Sequence, residues 1–163
     1  MVRCLLVLAL AIAGCDPVTK PCSSTGRDAQ VPPIAALPAP IAEMRAQIAA
    51  AAADCDFDRL EQLALPGEFH YDYDVDGDHQ LHPADFWRKK EAAGEKLLLT
   101  MVEALRAPYR VVMAADGKTP LTYIWPGDDQ SAGMSAFYRA GGLGGWHLFL
   151  AANGDWAGFD YGD

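Results

Sequence analysis

The chain has 163 residues, with 13 Lys and Arg against 22 Asp and Glu, a formal net charge of −9. That balance argues against nucleic acid as a partner, because its binders carry a basic footprint. The excess is also local. Residues 54–85 hold ten acids (Asp54, Asp56, Asp58, Glu61, Glu68, Asp72, Asp74, Asp76, Asp78, Asp85) and one base, Arg59, so a cation is the partner such a window suits.

Residues 1–15 place one basic residue, Arg3, before the apolar run 4–14, which ends in small residues before Cys15. A membrane-spanning helix needs roughly 20 apolar residues, so this run is too short to span and has the three-part layout of a signal peptide. The alternative is a buried N-terminal helix. Ile12-Ala13-Gly14-Cys15 resembles the lipobox of bacterial lipoproteins. The resemblance implies that residues 1–14 are removed and Cys15 is acylated. Two or more chains, at about 0.8 kcal/mol per buried CH₂, anchor a protein stably. It also implies a place in the cell envelope, outside the cytoplasm. Asp16 resembles the inner-membrane retention signal of enteric lipoproteins. The remaining 149 residues suffice for one domain with a core. Cys22 and Cys55 are then left as an even pair in an oxidising compartment. A disulfide would pin the N-terminal segment to the first helical region; the alternative is two thiols.

Residues 15–40 contain Pro17, Pro21, Pro32, Pro33, Pro38 and Pro40 with Ser23, Ser24, Thr25 and Gly26, which predicts an extended tether without a core of its own. A domain at 41–163 follows. Residues 41–53 are strong helix formers, with Ile41, Met44 and Ile48 on one stripe. Asp54 and Asp56 offer N-caps for a short second helix that turns Phe57, Leu60, Leu63 and Ala64 inward, and Pro66-Gly67 ends it. Residues 68–73 alternate as a strand. Pro83 opens a helix carrying Phe86 and Trp87, Gly94 interrupts, and residues 95–106 form a helix that Pro108 stops. Tyr109–Ala114 and Leu121–Trp125 are predicted strands about Asp116-Gly117. The segment Gly141–Gly145 lacks the context of a phosphate-binding loop and reads as a connector. Trp146–Ala152 and Asp155–Tyr161 flank Asn153-Gly154, a strong hairpin signal. A two-residue turn there predicts Leu148 opposite Phe159, Phe149 over Gly158, and His147 opposite Asp160. The fold class is α+β: helices first, packed on a curved antiparallel sheet that ends in a β-hairpin.

From Asp74 the chain reads Asp-Val-Asp-Gly-Asp-His-Gln-Leu-His-Pro-Ala-Asp, which resembles the EF-hand calcium loop. Ca²⁺ takes six to eight oxygens. The resemblance implies carboxylates from Asp74, Asp76 and Asp78, a backbone carbonyl from Gln80, and closure by Asp85, with His82 reaching the ion through water. Three features depart from the pattern. His79 replaces the turn glycine, at about 1–2 kcal/mol for the left-handed conformation, or roughly tenfold in affinity. Asp85 is one CH₂ shorter than the usual Glu. A strand, rather than a helix, enters the loop. A register starting at Asp72 restores Gly77 to the turn but puts Pro83 at the closing position. The competing readings are a solvated acidic loop whose aspartates cap the next helix, and another divalent ion using His70, His79 or His82 with the carboxylates.

No catalytic motif surrounds Ser23, Ser24, Ser131 or Ser135. His147 with Asp160 could serve as a base and its orienter or simply as a cross-strand polar pair. Trp125, Trp146, Trp156, Tyr123 and Tyr138 would line a ligand cleft or fill the core. The stretches Asp56–Leu60, Phe69-His70-Tyr71, Asp85–Arg88, Ala107-Pro108-Tyr109, Tyr123–Pro126 and the closing hairpin resemble a group of uncharacterised bacterial envelope proteins. Helices followed by a strand also resemble the NTF2-like fold, which hosts enzymes and binding modules alike. Three functions remain open: a lipid-anchored envelope protein without catalysis and with a calcium-stabilised loop, an NTF2-like binding or hydrolytic domain, and a metal-free module docking on an envelope protein or the cell wall.

Overall fold

A computed structural model describes residues 22–64, 69–71, 82–127 and 145–161. Four helices, α1 (Ala39–Ala53), α2 (Phe57–Leu63), α3 (Pro83–Ala92) and α4 (Leu97–Arg106), accompany five strands, β1 (His70–Tyr71), β2 (Arg110–Met113), β3 (Pro120–Trp125), β4 (Trp146–Ala151) and β5 (Trp156–Tyr161). The strands form one sheet in the order β1-β5-β4-β3-β2. β2 to β5 pair antiparallel in sequence, and β1 joins β5 in parallel. The α+β class and the closing hairpin are as the sequence predicts; the parallel edge strand makes the sheet mixed.

Strand alternation decides which side chains meet the helices. Registered neighbours Tyr123, Leu150 and Trp156 share one face with Trp125, Leu148 and Phe159, and all six are buried. Against that face pack Ile41 and Ile48 of α1, Leu60 of α2, Phe86 and Trp87 of α3, and Leu98, Met101 and Leu105 of α4. The helix α4 buries eight of its residues, Leu97–Val102, Ala104 and Leu105, and so lies inside the helical layer. In α1 the buried stripe is Ile41, Arg45, Ile48 and Ala52, with Met44 only half-buried.

The hairpin shows how a register can survive a different turn. Leu148 faces Phe159, Phe149 faces Gly158 and His147 faces Asp160, as predicted. The turn, however, has three residues, Ala152-Asn153-Gly154. Ala151 receives the Gly154 N–H at 2.9 Å and donates its own to the Asp155 carbonyl at 2.9 Å. Gly154 takes φ +99°, as the left-handed third position of such a loop requires. The register then shifts beyond Leu150–Trp156, leaving Ala157 as an extra residue that restores the predicted pairing. Gly158 is where β1 comes close: a Cβ there would lie 3.0 Å from the His70 carbonyl oxygen.

Residues 22–38, expected as part of an extended tether, form a strap laid on the helices. Cys22, Ser24 and Leu37 are buried, and Ala29, Val31 and Ile34 pack against the core.

Candidate functional site

The strap is attached at several points, and the first is covalent. Cys22 and Cys55 form a disulfide, Cα–Cα 5.9 Å, that closes 33 residues of chain. Cys55 stands just past α1 and adopts φ +58°. Its N–H bonds to the Ala52 carbonyl at 3.3 Å, and the Asp56 N–H bonds to Ala51 at 2.9 Å. This is a Schellman ending, whose left-handed position is usually glycine. Asp56 then caps α2 by accepting the Arg59 N–H at 2.9 Å.

Beside the bridge, the Ser24 hydroxyl donates to the Ala52 carbonyl at 2.5 Å. The Ser23 N–H and hydroxyl donate to the Glu91 carboxylate at 2.8 and 2.6 Å. Glu91 also accepts the Leu98 N–H at 2.7 Å, and the Ser23 hydroxyl accepts the Leu99 N–H at 3.1 Å. The first four N–H groups of a helix have no partner within the helix. The strap and α3 together therefore supply the cap that Lys96, at the N-cap of α4, does not.

Further along, Arg106 donates to the Asp28 carbonyl and Arg45 to the Pro32 carbonyl at 2.7 Å. Arg45 is a buried cation. Its Nε and Nη2 donate to the Leu105 carbonyl at 2.9 and 2.5 Å, at the end of α4 where the helix dipole favours positive charge. Its guanidinium carbon stands 6.0 Å from the centroid of the Trp125 ring. Burial pushes its ionisation down from the usual range. The sequence reading missed Arg45, because a charged residue on an apolar stripe looks solvent-facing. It undervalued the Ser23-Ser24-Thr25 cluster, although the pairing of Cys22 with Cys55 already required that segment to lie on the domain.

Of the predicted calcium ligands, Asp74, Asp76, Asp78 and Gln80 lie outside the described residues, as does Cys15. Asp85 stands in the first turn of α3, where a carboxylate suits the helix dipole. It is exposed and accepts from Arg88 Nη1 at 3.0 Å. Arg88 also pairs with Asp58 and lies over Phe57 at 5.3 Å. A metal at Asp85 would compete with this guanidinium. His82 Nδ1 lies 3.4 Å from Glu61 Oε1. Among the described residues no group of three His, Cys, Asp or Glu side chains could hold a metal ion.

The aromatic residues sort into two groups, buried except for the half-buried Tyr109 and Phe69. Tyr109, Tyr123 and Trp125 have centroids 5.3–6.4 Å apart. Trp87 stacks on Trp156 at 5.5 Å, and Phe69 meets both edge-on. Trp156 Nε1 donates to the Gly158 carbonyl at 2.9 Å, whereas the buried Nε1 atoms of Trp87 and Trp125 have no hydrogen-bond partner among the described residues. Trp146 is half-buried and stacks on Phe159 at 4.9 Å; Tyr138 lies outside the described residues. His147 and Asp160 are neighbours across β4 and β5 on the face away from the helices.

No protein-family model matches the chain. No curated protein and no solved structure matches it significantly. Among the described residues no helix is long and apolar enough to cross a membrane.

Proposed function

We propose that this chain is a lipid-anchored protein of the bacterial cell envelope, acylated at Cys15, whose loop at 74–85 takes a structural Ca²⁺ ion. The observation that carries the export reading is the Cys22–Cys55 bridge, since disulfides persist in oxidising compartments and are rare in the cytosol. It agrees with the three-part leader. For the loop, the support is the placement of Asp85 in the first turn of the following helix, where an EF-hand loop closes on its exiting helix. A filled site would offset repulsion among Asp74, Asp76, Asp78 and Asp85. Extracellular calcium modules work at about 10⁻⁴–10⁻³ M, so the loop's departures leave it in a useful range. Docking on an envelope protein or the cell wall is the role such an anchored domain suits. At the level of fold, helices followed by a mixed sheet favour an NTF2-like arrangement, which does not choose between binding and catalysis.

Calcium titration of residues 16–163 by calorimetry and thermal melting tests the loop. A one-to-one isotherm with a raised melting temperature, both lost in Asp74→Ala, is expected. No heat and no shift at millimolar Ca²⁺ would remove the metal from the reading. Palmitate labelling of the full chain, abolished by Cys15→Ser, tests the anchor separately.

A further inference from the structure

The strap changes what a lipid at Cys15 would do, and the following inference rests on that acylation. An anchored domain is ordinarily pictured at the end of its linker. Here the linker ends early: Cys22 is bonded to Cys55, Ser23 is held by Glu91, and Ser24 is held by Ala52. Only residues 16–21 separate Cys15 from Cys22. Seven Cα steps reach about 25 Å when fully extended. A tether running free to the start of α1 at Ala39 would reach about 85 Å.

The attachment also selects a face. Cys55 follows the C-terminus of α1, and Leu98 and Leu99 of the Ser23 cluster open α4. At the other end of α1, Pro40 packs against Gly154 of the hairpin turn, where a Cβ would lie 2.8 Å from the Pro40 Cβ. The 15-residue helix α1 separates these two ends by about 22 Å. Thr25, Arg27, Asp54, Glu95 and Lys96 are exposed around the attached end. Arg27 and Lys96 stand there beside Asp28, Asp54, Asp56 and Glu95, all exposed, so the short attachment rather than charge sets which end lies nearest the bilayer.

We propose that the domain is held at the bilayer surface with the end around the Cys22–Cys55 bridge facing the lipid and the Asn153-Gly154 turn facing away. The partner surface is a phospholipid bilayer, and the strap, rather than a long tether, sets the distance.

The test uses the full acylated chain on phosphatidylethanolamine–phosphatidylglycerol vesicles that carry an acceptor dye on the headgroup. A fluorescent residue is placed at position 27 or at position 153. Energy transfer from position 27 should exceed that from position 153 by about twofold, given ~22 Å of helix between the ends. A Gly/Ser spacer inserted after Val18, ahead of the Cys22–Cys55 bridge, should lower transfer from position 27 toward the value at 153. Protein that floats with the vesicles but transfers equally from both positions, or ignores the spacer, overturns the orientation alone. Protein that does not float overturns the anchor and the inference with it.

Discussion

Two helix endings in this domain use the same backbone and different residues. After α3, Gly94 takes φ +94°; its N–H bonds to the Glu91 carbonyl and the Glu95 N–H to Lys90, both at 3.0 Å. After α1 the same pattern closes on Cys55 at φ +58°. Glycine adopts that conformation without penalty, while a side chain costs about 1–2 kcal/mol. The cysteine is there because its sulfur must reach Cys22, and the disulfide outweighs the strain. Both endings receive the strap: the first through a covalent bond, the second through Glu91 and Ser23. The difference shows where this chain accepts local strain in return for a long-range tie.

The largest test removes the covalent tie. Cys22→Ser/Cys55→Ser opens a closure of 33 residues and should cost about 3–4 kcal/mol in urea denaturation. An unchanged midpoint would make the bridge incidental. Next comes the polar tie. Glu91→Ala strips a carboxylate from three donors and should cost about 2–3 kcal/mol, the range for hydrogen bonds to a charged group.

The comparison itself is sharpened by trading residues. Cys22→Ser/Cys55→Gly should be about 1 kcal/mol more stable than the double serine variant, because glycine relieves the left-handed position. Gly94→Ala should lose about 1 kcal/mol. Equal stabilities in either pair would mean that the two endings do not share this physics.

The smallest effect lies far from both endings. In the β2–β3 turn the Asp116 carboxylate accepts from the Thr119 hydroxyl at 2.6 Å and from the Lys118 and Thr119 N–H groups at 2.8 and 2.9 Å. These bonds favour the charged form and lower its pKa from 3.8 to about 2. A lowered carboxylate pKa adds stability above the unfolded value, and that stability is lost as pH falls through the folded one. The turn should therefore hold at neutral pH and loosen only between pH 3.8 and about 2. An NMR titration of the Thr119 amide reads this directly.

Much of the fold was legible because its signals are local. Helix starts at Pro83 and stops at Gly94 and Pro108, and the hairpin at Asn153-Gly154, follow from backbone chemistry. The hairpin register was legible as well, although Ala157 and the three-residue turn were not: a bulge cancels a turn error and leaves no trace in alternation. The strap was hidden by composition. Its prolines and serines read as tether, yet Ser23 and Ser24 have their partners in Ala52, Glu91 and Leu99, which no local rule connects. The metal set was legible only as a motif, and of its five direct ligands Asp85 alone falls among the described residues.

The strap's claim to be part of the domain is tested most directly at the Leu99 amide. That group is an early helix N–H whose acceptor is the Ser23 hydroxyl at 3.1 Å. In Ser23→Ala, with the disulfide intact, hydrogen exchange at Leu99 should quicken about tenfold, matching a lost bond near 1.4 kcal/mol, while Val102 within α4 stays protected. Unchanged exchange at Leu99 would contradict the account, because the strap would then be lying beside α4 without capping it.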